Sequence, residues 1–176
     1  MGKTFSANSI SSFLKNEHRY VSVESIYNDI RWLEQDFVIY PCQRFDLQGK
    51  EVLKTQEKYY LSDVSFKYAL FGYNHSMLDG VLENIIFLEL KRRGYEVYIG
   101  KNKTKEIDFC CHPARGTHLC SGMCTTSGKF GHRGWKPDEI RDHYPKYAVT
   151  TDPMDMGVVN GIRIVTLMDF LLCKDF

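Results

Sequence analysis

The chain has no run of about 18 apolar residues, so no membrane-spanning helix can be read from its 176 residues. The first ten residues, MGKTFSANSI, lack the apolar core of a secretory signal. A charge bias is missing too. Lys and Arg number 23 against 22 Asp and Glu, a formal net charge of +1, so no global field draws the chain to nucleic acid or anionic membrane. These absences predict a cytoplasmic protein with no membrane partner. There is no Cys-x-x-Cys pair. Nor is there a phosphate-binding loop. Met1-Gly2-Lys3-Thr4 contains the letters GKT, but such a loop needs a preceding strand and an earlier glycine so that backbone amides surround the phosphates. No ATP binding is expected. What is present is ordinary for a globular protein: 43% hydrophobic and 26% charged residues, at a length that fits one domain or two small ones.

The best-patterned stretch is 78–109. Leu78, Leu82, Ile85, Ile86 and Leu90 recur at helical spacing, and Lys91, Arg92 and Arg93 crowd the last turn, where cations suit the helix dipole. Gly94 stands as a C-terminal cap. Tyr95 to Ile99 alternates as a strand, Gly100 to Thr104 is turn chemistry, and Lys105 to Phe109 returns as a second strand. Glu83 shares a helix face with Phe87 and Leu90. A carboxylate there is costly unless it is paired or bound to metal. Asp108 lies on the returning strand.

This helix, hairpin and acidic pair resemble the C-terminal region of a prokaryotic family of AAA-type ATP-binding proteins, whose pattern is a helix LxGxLENxxxxEL followed by RRGYEV and a strand ending EIDF or EVDF. The matching residues are Leu78, Gly80, Leu82, Glu83, Asn84, Glu89, Leu90, Arg92 to Val97, and Glu106 to Phe109. The preceding KYYLSDVSFKYALFG (58–72) also looks like that family's leading strand and aspartate. The resemblance covers 5–109 and resumes at 139. It implies a winged helix-turn-helix followed by a restriction-endonuclease-like domain, both placed after an ATPase module. The expected fold class is therefore α/β (α+β), a winged helix over 1–57 and a degraded restriction-endonuclease-like mixed sheet with flanking helices over 58–176. The nucleotide-binding module is expected upstream of this chain, which would then be a C-terminal fragment or gene remnant.

The residues of the first quarter agree with that outline. Ser6 to Lys15 reads as a short helix. Ser22 is a fair N-cap for a second helix, Val23 to Gln35. Phe37 to Tyr40, a break at Pro41, Gln43 to Asp46, a Gln48-Gly49 turn and Val52-Leu53 read as a two-stranded ribbon. The second helix carries Glu24, Asp29 and Glu34 against Arg31 alone, the wrong sign for a major-groove helix. Packing against a protein partner or an ATPase module is the favoured role. Lys15, His18 and Arg19 keep DNA as the other partner.

Residues 110–138 depart from the pattern. Cys110, Cys111, His112, His118, Cys120, Cys124 and His132 are all zinc-type ligands. Their spacing is poor, and adjacent Cys110 and Cys111 would point to opposite faces of a strand. A structural metal site is thus the minor alternative, and its donors would be Cys110, His112, His118, Cys120 and Cys124. A pair of compensating frameshifts explains more. Read one nucleotide later, permitted codons allow the alternating strand HIYVQVC where the fold needs its third strand, whereas the peptide as written offers none. The segment is then expected to pack poorly. Beyond it, Glu139 to His143 reads as a short helix, Lys146 to Thr151 as a strand, Met154 to Asn160 as loop, Asn160-Gly161 as a turn, Ile162 to Leu167 as the closing strand and Met168 to Leu172 as a helical turn.

The nuclease superfamily that the second domain resembles cuts phosphodiesters with Mg²⁺, held by a strand aspartate and a Glu-x-Lys on the next strand, with a helix acid contributing. Asp108 matches the strand aspartate and Glu83 the helix acid. The Glu-x-Lys has no match in 110–138. A lysine could come instead from Lys101, Lys103 or Lys105. Metal-assisted hydrolysis needs the whole constellation. The expectation is a non-catalytic accessory or interaction region with no cofactor. The alternative is a Mg²⁺-dependent nuclease or nuclease-like DNA-binding protein using Glu83 and Asp108.

Overall fold

The computed structural model describes residues 5–74, 78–102, 105–113, 120–126 and 145–173. Within them lie five α-helices: α1 Ala7–Asn16, α2 Val23–Gln35, α3 Ser65–Phe71, α4 Leu78–Arg92 and α5 Leu167–Leu172. The strands are β1 Ile39–Asp46, β2 Glu51–Leu61, β3 Tyr95–Asn102, β4 Lys105–Pro113, β5 Cys120–Thr126, β6 Lys146–Thr150, β7 Gly157–Val159 and β8 Ile162–Thr166. They form one mixed sheet in the order β2-β1-β3-β4-β5-β6-β8-β7. The α/β class is therefore as expected. No helix among the described residues is long and apolar enough to cross a membrane.

Local chemistry sets most element ends. Ser22 caps α2, its hydroxyl accepting from the Ser25 amide at 3.0 Å. Ser6 does the same for α1 with Ser9 at 3.2 Å. Gly94 closes α4 at φ 83°, a left-handed position that costs glycine little. Asn160 and Gly161, both at positive φ, make the tight turn between β7 and β8.

Several elements depart from the sequence reading. Pro41 does not break β1, which runs through it and sets it opposite Tyr59. β3 pairs with β1 only from Arg44 onward, so at Pro41 one side of the strand needs no ladder and proline is tolerated. Gly100 is not a turn residue. It lies inside β3 opposite Ile107, where an added Cβ would fall 2.5 Å from Cys110 Sγ and 2.9 Å from Ile107 Cβ. The expected loop 154–160 instead contains β7, antiparallel to β8. The segment 110–138 is not without strands. β4 continues to Pro113, burying Cys110 and Cys111, and β5 pairs antiparallel with β4 and parallel with β6. The small, apolar thiols of Cys110 and Cys111 suit a core as well as any short side chain. The helix expected at 139–143 lies outside the described residues. The division expected at 57/58 falls inside β2, and the β1–β3 pairing carries the sheet through it.

The main core lies between the sheet and helices α4 and α5. Ile86, Phe87 and Leu90 of α4 and Phe170 of α5 meet Val97 and Ile99 of β3, Phe109 of β4, Val149 of β6 and Val165 of β8. At about 1.5–3 kcal/mol per fully buried large apolar side chain, this layer dominates stability. Arg93 adds a tie between the two helices. It donates to the Phe170 carbonyl and to Glu89, and its guanidinium sits 4.8 Å from the Phe170 ring centroid.

Candidate functional site

α4 is set over the β2 end of the sheet by a buried amide. Asn84 accepts from the Leu61 amide and donates to the Leu61 carbonyl, both at 2.8 Å, and so completes the backbone pairing at the end of β2. One residue earlier, Glu83 is buried and meets β2 directly. Its Oε1 accepts from the Tyr60 hydroxyl at 2.6 Å and from Lys58 Nζ at 3.3 Å. Lys58 and Tyr60 are two apart on β2 and share the α4-facing side, as strand alternation requires. Tyr60 is held flat against Phe87, centroids 4.2 Å apart, with Phe109 at 5.7 Å.

Lys58 is the hub. Its ammonium lies 2.5 Å from Glu106 Oε1 as well as 3.3 Å from Glu83, while the other oxygen of Glu106 accepts from Arg44 Nη2 at 2.7 Å. Burial works against a charge on Lys58, but Glu83, the hydrogen bond and charge of Glu106, and Asp108 outweigh it and hold the ammonium above its ordinary range. Burial and the Glu83 carboxylate push the Tyr60 phenol far up. Burial also pushes the Cys42 thiol up to about 12, against the pull of Lys58. Both are neutral groups at physiological pH.

Asp108 stands at an irregularity that aims it. The β3–β4 register pairs Gly100 with Ile107 and Tyr98 with Cys110, so Asp108 and Phe109 together face Ile99. This β-bulge puts Ile107 and Cys110 on one side of the sheet and Phe109 and Cys111 on the other. The two residues expected from sequence, Glu83 and Asp108, thus both act on Lys58.

Of the substitute lysines, the side chain of Lys101 alone is among the described residues, and it does not take that place. Lys101 stands opposite Glu106 in the ladder, but the Glu106 oxygens go to Lys58 and Arg44. Lys103 and the side chain of Lys105 lie outside the described residues. The residues missed were Lys58, Tyr60, Glu106 and Arg44. A signal for the first two existed, since Lys58-x-Tyr60 alternates on the leading strand. The partner that explains them is 25 residues from Lys58 and invisible to local pattern.

Of the alternative metal ligands, the side chains of Cys110, Cys111 and His112 are among the described residues. Cys110 and Cys111 are buried on opposite faces of β4. His112 packs edge-on against Phe45 and Tyr98, at 5.6 and 5.7 Å, and burial lowers its pKa. His118, His132 and the side chains of Cys120 and Cys124 lie outside the described residues. Among the described residues, no group of three or more His, Cys, Asp or Glu is arranged to hold a metal ion.

No family model matches the chain, and no solved structure matches it. A protein of Haemophilus influenzae that carries the name "Uncharacterized protein" is 31% identical over 172 residues, which is 98% of this chain and 43% of the relative. A second, from Methanocaldococcus jannaschii and also named as uncharacterized, is 30% identical over 105 residues, 57% of this chain and 23% of the relative. The chain is similar to both and spans less than half the length of either.

Proposed function

We propose that this chain is a non-catalytic accessory or interaction region of the kind that follows the ATPase module in prokaryotic AAA-type ATP-binding proteins. On this reading α1, α2 and the β1–β2 ribbon are a winged helix, and the remainder is a degraded restriction-endonuclease-like domain. The observation that carries the reading is the double pairing of the buried Lys58 ammonium. That ammonium is already paired with Glu83 and Glu106, and Arg44 takes the second Glu106 oxygen. Mg²⁺ needs near-octahedral oxygen ligands and keeps several waters. To bind here it would have to displace a buried, doubly paired ammonium, which would then be left without its carboxylates. The acids are better described as a structural tie between β2, α4 and β4.

We also infer that 110–138 derives from compensating frameshifts. Its cysteine- and histidine-rich composition supports this, as does the overlap of β5 with the stretch where the shifted frame allows HIYVQVC. The nucleotide sequence across these codons, compared with that of close relatives, is the test.

One observation favours a second reading, a Mg²⁺-dependent nuclease or nuclease-like DNA-binding protein. Lys58 supplies the lysine, and Glu106 the third carboxylate, that the linear motif lacks. Incubation of the purified chain with single- and double-stranded DNA and Mg²⁺ or Mn²⁺ separates the two. The expected result is no cleavage. Metal-dependent cleavage that is lost in Asp108→Ala, Glu83→Ala and Lys58→Met would overturn the accessory reading.

A further inference from the structure

The two edges of the sheet differ in chemistry. β2 forms one edge and β7 the other. β2 carries Glu51 and Glu57, and the Glu57 carbonyl already accepts from the Phe5 amide at 3.0 Å. Charge and a covering segment are common protections of an edge. Among the described residues β7 has neither. Met156 to Asn160 holds no lysine, no proline and no charge, and all three residues of β7 are exposed. Val158 is 72% exposed and Met154, just ahead of the strand, 91%. Met156 and Val159 are exposed too, as are Met168 and Leu172, one helical turn apart on α5. That helix lies on the Val158 face of the sheet. Its Phe170 packs with Val165, Val165 is two residues from Arg163 on β8, and Arg163 stands opposite Val158. The hairpin turn shows which backbone groups are open. Asn160 and Gly161, both at positive φ, are the two turn residues, so Val159 and Ile162 close the hairpin as a hydrogen-bonded pair. Such pairs alternate along an antiparallel ladder. Gly157 and Ile164 are the next, and the Val158 N–H and C=O point away from β8.

We propose that β7 pairs antiparallel with β7 of a second copy of the chain, about a twofold axis at Val158. The register follows from the axis. Val158 meets Val158, Gly157 meets Val159, Met156 meets Asn160 and Asp155 meets Gly161, so no charge faces its own image. The two outward Val158 N–H groups find the two outward Val158 carbonyls, the branched side chains form a favourable cross-strand pair, and glycine opposite Val159 leaves that side chain room. The axis stands perpendicular to the sheet, so α5 of both copies lies on one face, beside the Val158 pair, with the Met168 and Leu172 stripes of both. A single strand from another protein would bring no such helix. The area agrees with a dimer. A large apolar side chain buries about 60–120 Å², and six of them with the backbone edge come near the roughly 800 Å² per partner of a stable interface. The inference goes beyond the accessory reading and does not rest on it, because β7 is at the opposite edge of the sheet from Lys58 on β2.

The test is sedimentation velocity on the full chain over a range of concentrations. A monomer–dimer equilibrium is expected, and it stops at the dimer because a twofold contact uses up the edge. Val158→Lys sets two ammonium groups face to face and should weaken the dimer about tenfold or more. Val158→Pro removes only the outward N–H, since the bonds to β8 come from Gly157 and Val159, and should weaken it about tenfold as well. Val158→Thr keeps the N–H and the branched Cβ and should stay within about threefold. Leu70→Ser, at a comparably exposed leucine on α3, should change nothing. Circular dichroism checks the fold of each variant, and the exposed position of Val158 lets the monomer accept lysine, so Val158→Lys against Val158→Thr decides the matter even where proline disturbs the strand. A monomer at every concentration, assemblies that grow past the dimer, a dimer that survives Val158→Lys, or one lost equally in Leu70→Ser would each overturn the edge pairing. So would an undiminished dimer in a folded Val158→Pro chain, since the contact would then not be a strand ladder. None of these results touches the accessory reading, which falls only to metal-dependent cleavage.

Discussion

At the scale of single residues, Glu83 carries the clearest expectation. Glu83→Ala would leave a buried ammonium with one carboxylate fewer and the buried Tyr60 hydroxyl without its acceptor. Breaking a buried pair from one side costs about 3–5 kcal/mol, less here because Glu106 remains on Lys58. Urea denaturation should show a loss of about 2–4 kcal/mol. The double variant Lys58→Met, Glu83→Leu should recover much of it, and a double variant as unstable as the sum of the singles would show that the two do not act as a pair. The same neighbourhood fixes a pH dependence. The Cys42 thiol goes from 9.0 to about 12 on burial, and the raised Lys58 ammonium has the same sign. In each case the folded state holds its proton more tightly than the unfolded chain. The stabilisation is therefore complete below the unfolded pKa and is lost as pH rises toward the folded one. Melting temperature should fall progressively above pH 9, and Cys42→Ala should flatten the part between pH 9 and about 12. A melting temperature that holds steady from pH 8.5 to 11 would contradict this.

At the scale of elements, the β3–β4 hairpin depends on a close approach at Gly100. An alanine there would bring its Cβ to 2.5 Å from Cys110 Sγ and 2.9 Å from Ile107 Cβ, and neither neighbour has space to withdraw, since both are wholly buried. Gly100→Ala should destabilise by about 1–3 kcal/mol, measured by thermal melting. Cys110→Ala in the same chain should restore only part, because the Ile107 contact remains. Full tolerance of alanine would mean that the hairpin can change register. This element also shows what pattern reading can and cannot see. The alternation of Tyr95 to Ile99 and of Lys105 to Phe109 gave both strands and the pairing between them. The bulge at Asp108 and Phe109 could not be read, because it arises from the match between two strands and not from either one alone. That bulge puts Phe109 with the main core while Cys110 turns away from it.

At the scale of the whole molecule, the sheet decides how the first quarter behaves. β1 hydrogen-bonds to β2 and to β3, and α4 lies across β2, β3, β4 and β5, so unfolding of α1 and α2 should not precede that of the sheet. In a Trp135→Phe chain, Trp32 fluorescence reports α2 and far-UV circular dichroism reports the whole. The two urea transitions should coincide, and an earlier fluorescence transition would show that residues 1–57 fold as an independent unit. By itself the sequence determined what depends on neighbours along the chain: the helix α1, the capped helix α2, the α4 helix with its Gly94 stop, the Asn160-Gly161 turn, and the burial of Glu83 beside Phe87. These follow from periodicity and backbone preference, which act within a few residues. The tertiary structure alone decided the strand order, the tolerance of Pro41, the use of Gly100 for packing and the β5 strand in a stretch with no apolar alternation. It alone also gave Glu83 its cation from Lys58 and brought Glu106 and Arg44 into the same charge network. The physical reason is common to all of these. Each depends on what lies across a ladder or above a sheet, and the electrostatics of a buried charge are set by groups within a few ångströms in space, whatever their separation in sequence.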